Sequence, residues 1–316
     1  MPPDESIQFY NRYSKKVETE AIYGEKYLKF IYGNPLGRLA LWAAAKRVWF
    51  SGWYGKRMTS PDSFKKILPF IERYGLNSDD FLLHVNEFKC FDDFFSRKLK
   101  PTKRPIDSSS EIAVFPADGR HLVINDLSID QPLWAKSQSL KIEKLLGEQK
   151  IAERYEGGSV LISRLCPTDY HRFHFPCDGK ASSSFPINGF LYSVNPIALK
   201  KNISYLWHNR RFITEFDSDK FGIISLLEIG ATCVGGIKQT YDLGQVKKGS
   251  EKGFFHFGGS MTMIFFEKGR VVFSEDLLEN GEIGREVYGR MGDHCGKATL
   301  IGHSNSHDPI GNEPIL

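Results

Sequence analysis

The sequence predicts an α+β fold in which N-terminal amphipathic helices precede a mainly antiparallel β domain, sandwich-like or barrel-like in form. Two changes in composition carry this prediction. Residues 1–105 contain helix start and stop signals, whereas residues 106–292 alternate short Val-, Ile- and Phe-rich runs with Gly, Pro and Asp. Residues 293–316 are rich in Gly, His, Ser and Asn, and we expect them to form a flexible C-terminal tail.

The clearest helix signal in the first region is SPDSFKKILPFIERYG, residues 60–75. Ser60 is a candidate helix cap, Pro61 suits the first helical position, and Gly75 is a candidate stop. The stretch KCFDDFFSRKL, residues 89–99, predicts a further short helix.

Residues 26–58 form a basic segment with seven cations, no acidic residue and three of the five tryptophans. Leu39, Trp42, Lys46, Trp49 and Trp53 recur at steps of three and four, which predicts one helical face. Such a face suits an anionic membrane surface, with Lys46 snorkelling from it. The alternative is a helix packed on the β domain with its cations in solvent. The apolar runs are too short for a spanning helix, which needs about 20 residues.

The overall composition excludes several classes of protein. Hydrophobic residues make up 41 % and charged residues 25 %, which excludes a wholly disordered chain. A net charge of +4 is too weak to imply a nucleic-acid partner. The five cysteines form no CxxC pair, which indicates a reducing compartment. The N-terminus reads as neither a secretory signal nor an Arg-rich transit peptide.

Three stretches concentrate residues capable of chemistry. FPADGRH contains Asp118, DYHRFH contains His171 and His174, and FGGSM contains Ser260. Together they offer a carboxylate, two imidazoles and a hydroxyl, the parts of a base-activated nucleophile. Two glycines directly before Ser260 leave the main chain there unshielded and free to adopt strained dihedral angles. A Ser-His-Asp hydrolase is therefore one reading, although the serine lies outside a GxSxG elbow.

A metal site is a rival interpretation of the second stretch. Cys166, His171, His174 and Cys177 offer two thiols and two imidazoles within twelve residues. Their spacing is not that of a usual zinc finger, and prolines stiffen both ends, so we expect no metal here. If these four residues did bind zinc, the alternative function would be that of a non-catalytic, zinc-stabilised membrane-binding protein.

Six stretches in order along the chain resemble the phosphatidylserine decarboxylase family, whose members are pyruvoyl-dependent, self-processing proenzymes. They are FDDFFSRKLKPTKRPID (91–107), FPADGR (115–120), DYHRFHFPCDGK (169–180), GFLYSVNP (189–196), EIGATCVGGI (228–237) and KGSEKGFFHFGGS (248–260). Two positions depart from the family pattern. Met261 stands where Thr or Ser is common after the serine, and Arg210 replaces the acid of an Asn-Glu-Arg stretch.

The resemblance implies self-cleavage between Gly259 and Ser260. The hydroxyl of Ser260 attacks the Gly259 carbonyl, and β-elimination and hydrolysis then leave a covalent pyruvoyl cofactor derived from Ser260, with release of ammonia. The products are residues 1–259 and 260–316. Such a ketone supplies the electron sink that decarboxylation of an amino acid requires, through a Schiff base with the substrate amine.

The resemblance also assigns roles to the other three catalytic residues. It implies that His174 is the base for Ser260 and that Asp118 orients His174. It assigns His171 to the decarboxylation step, as the acid that protonates the carbanion. Imidazole suits both tasks because its ordinary pKa lies near neutrality.

The implied activity is a carboxy-lyase of phospholipid biosynthesis that converts phosphatidylserine to phosphatidylethanolamine. We expect a peripheral protein on the cytoplasmic face of the cell membrane, a homo-oligomer of αβ units, with phosphatidylserine and an anionic membrane surface as partners. The basic segment would hold substrate-rich membranes better than membranes of the near-neutral product. RKLKPTKR, residues 97–104, either adds to this basic surface or is a solvated linker.

Overall fold

The structure, a computed structural model, describes residues 6–127, 140–232, 236–258 and 260–299. Within these ranges the helices are α1 (Glu25–Gly33), α2 (Pro35–Ala40), α3 (Val48–Met58), α4 (Ile67–Tyr74), α5 (Phe91–Phe95), α6 (Ile142–Leu146), α7 (Gln149–Glu153), α8 (Pro196–Leu199), α9 (Tyr205–His208) and α10 (Glu275–Glu282). A π-helical turn, Leu41–Ala45, lies between α2 and α3. Short 3-10 turns are Pro61–Lys66, Ser78–Asp80, Val85–Glu87 and Pro101–Lys103.

The strands follow mostly after residue 111. They are β1 (Gln8–Asn11), β2 (Lys16–Thr19), β3 (Ile112–Val114), β4 (Gly119–Asn125), β5 (Ser159–Leu165), β6 (Arg172–His174), β7 (Gly179–Ala181), β8 (Phe185–Ile187), β9 (Arg211–Ser218), β10 (Gly222–Gly230), β11 (Ile237–Gln239), β12 (Gly244–Val246), β13 (Glu251–Phe255), β14 (Ser260–Phe266), β15 (Val271–Phe273), β16 (Glu286–Gly289) and β17 (His294–Ala298). Helices combined with mostly antiparallel sheets confirm the predicted α+β class.

The strands form one 11-stranded sheet and two three-stranded sheets. The large sheet has the order β12-β7-β9-β10-β14-β5-β4-β16-β1-β2, with β8 also paired to β9. The small sheets are β11-β13-β6 and β15-β17-β3. Among these paired strands only β1 and β16 run parallel. The strand that starts at Ser260 therefore lies near the middle of the largest sheet.

Both faces of β14 are buried, with β10 and β5 as its neighbours in the sheet. Met261, Met263 and Phe265 point into one hydrophobic core, and Ile264 and Phe266 into a second core on the other face. Burial on two sides explains why this strand is a continuous apolar run rather than an alternating pattern.

A third core joins the N-terminal region to the chain just before β14. Phe91 and Phe95 of α5 lie with their ring centroids 5.2 and 4.9 Å from that of Phe257. Met58 of α3 and Phe70 of α4 belong to the same aromatic-rich core. The helical region thus packs directly against the segment that leads to Ser260.

Two predicted boundaries are wrong. Residues 8–19, assigned to the helical N-terminal region, form the β1–β2 hairpin at one edge of the large sheet. Residues 294–298, assigned to a flexible tail, form β17, whose Cys295 is buried. Both errors have one cause, because β1 pairs with β16 and β17 pairs with β3, each more than 150 residues away, and local composition does not reveal these partners. Residues 300–316 of the predicted tail lie outside the described ranges.

The helix expected over residues 60–75 is divided. Pro61–Lys66 form a 3-10 turn, and the α-helix runs only from Ile67 to Tyr74. Pro69 explains the division, since a residue without an N–H fits the first turn of an α-helix but not its interior. The predicted stop is confirmed, because Gly75 ends the helix with a φ of 62°. The short helix predicted in residues 89–99 is also confirmed, as α5.

The basic tryptophan segment is not one continuous helix. It comprises α1, α2, the π-helical turn and α3, with a break at Lys46 and Arg47. Lys46 is buried, and its Nζ lies 3.2 Å from the hydroxyl of Tyr192 and 4.4 Å from the ring centroid of Phe190. No helix within the described ranges is both long and apolar enough to cross a bilayer.

A buried ionic cluster ties the hairpin to the central strands. The Arg164 guanidinium on β5 donates to Glu20, just after β2, at 2.6 and 3.1 Å. It also donates to Glu286 on β16 at 2.5 and 2.9 Å. All three side chains are at most 5 % exposed. Burial alone would raise the pKa of Glu20, but the charge and hydrogen bonds of Arg164 lower it to about 2.

This cluster predicts an acid-sensitive part of the stability. Because the folded-state pKa of Glu20 lies below its ordinary value of 4.5, its stabilisation is present above that value and is lost as the pH falls towards 2. We expect Glu20→Gln to lower the free energy of unfolding by about 3 kcal/mol at pH 7, and by roughly half as much at pH 3. Urea unfolding of an uncleaved Ser260→Ala background measures both values.

Glu215→Gln is the matched control, because Glu215 forms an ion pair with Arg154 that is half exposed. Such a surface pair contributes about 1 kcal/mol or less. Equal losses for the Glu20 and Glu215 variants at both pH values would contradict this account of the cluster.

Candidate active site

A small buried cluster brings together the three stretches that the sequence singled out. Ala117, Leu165, Phe173 and Phe255 pack against one another and are at most 1 % exposed. Ala117 precedes Asp118, Phe173 precedes His174, and Leu165 is the cross-strand partner of Ser260. The residues that directly precede Asp118 and His174 and the cross-strand partner of Ser260 therefore meet in one hydrophobic contact.

Ser260 is the first residue of β14 and is fixed on both sides. It pairs with Leu165 on β5 and with Gly230 on β10. Its side chain is fully buried, and within the described chain its Oγ has no hydrogen-bond partner. The hydroxyl is thus rigidly placed but not engaged, which leaves both its lone pairs and its proton available for reaction.

The chain reaches Ser260 through a conformation that requires glycine. Gly258 has a φ of 141°, in the region that residues with a Cβ rarely adopt. This agrees with the expectation that the glycines permit unusual dihedral angles before Ser260. Gly259, the predicted carbonyl partner, lies outside the described residues.

His171 is a neutral imidazole with a defined tautomer. Its Nδ1 donates to the main-chain oxygen of Asp169 at 3.0 Å, so the proton sits on Nδ1. Burial lowers its pKa to about 3, although this hydrogen bond opposes the shift. Its ring lies 3.9 Å from that of Phe95, and its Nε2 is buried without a partner among the described side and main chains. His171 therefore presents an unprotonated nitrogen.

His174 is also neutral and is held mainly through its main chain. Its amide donates to the carbonyl of Pro116 at 2.7 Å, and its ring stacks on Tyr170 with centroids 5.7 Å apart. Burial lowers its pKa to about 4, while the charges of Glu251 and Asp118 act in the opposite direction. A neutral imidazole can accept a proton, and those two carboxylates would stabilise the imidazolium that forms.

Asp118 is fully buried but does not hydrogen-bond His174 in this structure. Its carboxylate accepts from Nε of Arg104 at 2.8 Å, from Nη2 of the same guanidinium, and from the main-chain N of Met291 at 2.9 Å. Nδ1 of His174 is left without a partner in the described part of the chain. The influence of Asp118 on His174 is therefore electrostatic here.

Arg104 and Arg97 were not recognised as site residues from the sequence, which placed both in a basic surface or linker. Arg104 binds Asp118, and Arg97 is 5 % exposed. Nη2 of Arg97 donates to the carbonyls of Thr168 and Asp169 at 3.2 and 3.3 Å, in the loop before His171. The available signal was the apolar stretch FDDFF next to these cations, which indicates a segment that packs inward.

Asp169 is a further site residue that the sequence analysis missed. Its carboxylate accepts from Nη1 of Arg120 at 2.6 and 2.9 Å and from the main-chain N of Cys166 at 2.7 Å. Its main-chain oxygen binds His171. Asp169 thus shapes the loop between β5 and β6 and fixes the His171 tautomer.

The two departures from the family pattern, Met261 and Arg210, both lie close to Ser260 in the sheet, because the carbonyl of Arg210 accepts from the main-chain N of Gly230, the cross-strand partner of Ser260, at 2.9 Å. Met261 points into the core on the opposite face of β14. The Arg210 guanidinium lies over the ring of Phe212 at 5.9 Å, and its Nε is buried without a hydrogen-bond partner among the described residues. Asn209 bonds the carbonyl of Gly230, opposite Ser260, at 2.9 Å.

The cysteines and histidines of the second stretch do not assemble as metal ligands. Cys177 lies in a hydrophobic core with its Sγ 3.5 Å from Oγ of Ser218, and Cys166 contacts Nη1 of Arg164. Within the described ranges no three His, Cys, Asp or Glu side chains are placed to hold a metal ion. The four cysteines described there are free and buried.

A buried hydroxyl without a partner among the described residues, in a fold that also buries two imidazoles without a partner on one ring nitrogen, is consistent with a nucleophile that reacts inside the protein. The sequence profile of the phosphatidylserine decarboxylase family matches residues 91–297. A phosphatidylserine decarboxylase proenzyme of Clostridium perfringens strain SM101 is 44 % identical over 292 residues, covering 92 % of this chain and 99 % of the relative. The chain belongs to the phosphatidylserine decarboxylase family.

Two further relatives carry the same name. The proenzyme of Fusobacterium nucleatum is 40 % identical over 293 residues, which is 92 % of this chain and 98 % of that protein. The proenzyme of Clostridium kluyveri is 42 % identical over 291 residues, with the same coverage of both chains. The resemblance noted in the sequence is confirmed over nearly the whole chain.

Proposed function

We propose that this protein is a phosphatidylserine decarboxylase that creates its own pyruvoyl group by cleavage between Gly259 and Ser260. The observation that carries the proposal is the fully buried hydroxyl of Ser260 at the start of a central strand, which has no hydrogen-bond partner among the residues that the structure describes. A serine so enclosed can reach its own main chain but not an ester from solution. This burial disfavours the Ser-His-Asp hydrolase, and the scattered cysteines disfavour the zinc-stabilised alternative.

The first chemical step is attack of Ser260 Oγ on the carbonyl carbon of Gly259. His174 accepts the hydroxyl proton, and the nearby charges of Glu251 and Asp118 stabilise the imidazolium. The C–N bond then breaks, the nitrogen of residue 260 takes the proton from His174, and an ester remains. Loss of the α-proton of residue 260 then expels the Gly259 carboxylate. Tautomerisation and hydrolysis then release ammonia and leave the ketone on residue 260.

The pyruvoyl group supplies the electron sink for loss of carbon dioxide from the serine moiety of phosphatidylserine. His171 serves that reaction as a proton carrier. Its unprotonated Nε2 accepts the proton that the substrate ammonium must lose before it can react, and returns this proton to the α-carbon after carbon dioxide has left. A residue that is neutral in the proenzyme thus becomes the acid of the later step.

The two products of cleavage are expected to remain one αβ unit. In residues 260–316, β14 pairs with β5 and β10, β16 pairs with β4 and β1, and β17 pairs with β3. The buried ion pair between Arg164 and Glu286 also joins the two pieces. Association of these units into a homo-oligomer is part of the same proposal.

The surface that meets the membrane is formed by α2, the π-helical turn and α3. Trp42, Trp49 and Trp53 are 61 %, 62 % and 50 % exposed, although tryptophan is rarely left so open on a soluble surface. Arg47 lies over the ring of Trp42 and Arg57 over that of Trp53, at 5.7 and 5.1 Å. Tryptophan rings favour the membrane interface, and the neighbouring cations attract anionic headgroups. Together they support peripheral binding to the phosphatidylserine-containing cytoplasmic leaflet.

Replacing Trp42, Trp49 and Trp53 together by alanine should release the protein from phosphatidylserine vesicles. Tryptophan burial in the interface resists salt, whereas each cation contributes on the order of 1 kcal/mol that weakens as salt rises. In vesicle flotation the unaltered protein should therefore bind less in high salt but not lose binding, and the triple variant should float poorly in both. Point substitutions are needed because truncation would remove β1 and β2.

Leu243→Ala is the matched control, since Leu243 is 69 % exposed on the β domain. It should float like the unaltered protein. Equal flotation of the triple variant and this control would contradict the assigned membrane surface. It would not bear on the proposed self-cleavage at Ser260.

A further inference from the structure

One carboxylate holds two consecutive residues just before the proposed cleavage bond. Oδ1 of Asp92 accepts from the main-chain N of Phe257 at 2.7 Å, and Oδ2 lies 2.7 Å from Nδ1 of His256. Asp92 lies in α5, within the N-terminal region, and is 7 % exposed. Nothing in the cluster of Ser260, the two histidines and Asp118 accounts for this contact.

The same helix also holds the side chain of Phe257 and the ring of His171. Phe257 contacts the rings of Phe91 and Phe95 edge to face, and Phe95 contacts the His171 ring with centroids 3.9 Å apart. One short element therefore positions both the chain that enters the cleavage site and one of its imidazoles.

An anchor at this point has a specific mechanical effect. Ser260 is already fixed by pairing with β5 and β10, whereas Gly258 contributes no side chain that could hold its own backbone. Attack on a carbonyl requires the reacting atoms to be held about 3–3.5 Å apart in a suitable orientation. The carbonyl side of the bond is therefore located by whatever fixes residues 256 and 257.

We propose that Asp92 is a positioning residue for self-cleavage, which binds His256 and Phe257 and thereby presents the Gly259 carbonyl to Ser260. The inference rests on the proposed cleavage between Gly259 and Ser260. It adds a role for the N-terminal region in maturation, because α5 binds the amide of Phe257 and the ring of His256, whereas the described part of the β domain binds only the amide of His256, through the carbonyl of Gly236 at 3.1 Å.

The test follows cleavage of the full chain after cell-free synthesis, by densitometry of a denaturing gel over time. Asp92→Ala should slow cleavage roughly 100-fold, the loss expected when a reacting group is displaced by about 1 Å. Asp92→Asn should recover much of the rate, because the amide oxygen still accepts from the Phe257 N–H. Asp93→Ala is the matched control, since Asp93 in the same helix accepts from the main-chain N of Lys89 at 3.0 Å. It should cleave at the unaltered rate.

Hydroxylamine locates the affected step, because it cuts an ester and bypasses elimination. It should not restore cleavage to Asp92→Ala, in which ester formation itself is slowed. Thermal unfolding in the Ser260→Ala background should show both aspartate variants folded. If Asp92→Ala does not fold, His256→Ala takes its place, because that side chain is 39 % exposed, and cleavage should slow about tenfold.

Cleavage of Asp92→Ala at the rate of Asp93→Ala would overturn the inference, as would full recovery of Asp92→Ala with hydroxylamine. If His256→Ala is used in place of Asp92→Ala, an unaltered rate of cleavage would likewise overturn the inference. These outcomes are separate from failure of the proposed function, which would appear as cleavage of the Ser260→Ala chain.

Discussion

Ser260→Ala will remain a single full-length chain and will lack decarboxylase activity. The substitution removes only the hydroxyl of a buried residue at the start of β14, so the pairing with β5 and β10 should persist. Without Oγ no ester forms, and no other hydroxyl or thiol occupies that position. The measurement is a denaturing gel of purified protein together with carbon dioxide release from phosphatidylserine in detergent micelles. Both cleavage and activity should be undetectable.

Ser225→Ala is the control for loss of a buried hydroxyl in the same sheet. Ser225 lies on β10, and its Oγ contacts the hydroxyl of Tyr155 at 2.9 Å. This variant should cleave and turn over normally after a modest loss of stability. Cleavage of Ser260→Ala at the same bond would show that another group starts the reaction.

His174→Ala and His171→Ala should separate the two stages of the enzyme. Loss of the base should slow self-cleavage of His174→Ala by roughly 100-fold or more. His171→Ala should mature at least in part, yet decarboxylate roughly 100-fold more slowly, because the proton carrier is missing. Gel densitometry measures the first stage, and carbon dioxide release per cleaved chain measures the second.

His208→Ala serves as the control, since His208 lies at the surface at the end of α9. It should leave both stages unchanged. An uncleaved His171→Ala chain, or a fully processed and active His174→Ala chain, would show that the two histidines have the opposite roles or share them. The geometry makes this comparison informative, because His171 has a fixed tautomer and an Nε2 that no described residue binds, as a base would.

The sequence allowed prediction of the parts of the fold that local pattern determines. The helix stop at Gly75, the short helix of FDDFF and the buried run after Ser260 follow from turn propensity and hydrophobicity over a few residues. The β1–β2 hairpin and β17 could not be predicted in this way, because β1 is anchored by β16 and β17 by β3, both far away in the chain. The three chemical stretches were grouped by the residue types that they carry, and the family resemblance then implied the role of each residue.

The polar contacts within the site were also beyond local pattern. Arg104 reads as one cation in a basic run, but its guanidinium lies inside the protein on the carboxylate of Asp118. Asp92 reads as an acidic residue at a helix start, but it binds main chain 165 residues away. In both cases a charged side chain is buried, and its burial would cost free energy without a hydrogen-bond partner. That partner is brought near only by the fold.

The most direct test of the whole account is the intact mass of the purified, unaltered protein under denaturing conditions, before and after treatment with a carbonyl reagent. The account predicts two species, residues 1–259 with an ordinary carboxyl terminus and residues 260–316 with a pyruvoyl group in place of Ser260. Only the smaller species should gain the mass of one reagent molecule and resist N-terminal sequencing. A single intact chain with an unmodified serine, in a preparation that nevertheless decarboxylates phosphatidylserine, would contradict it.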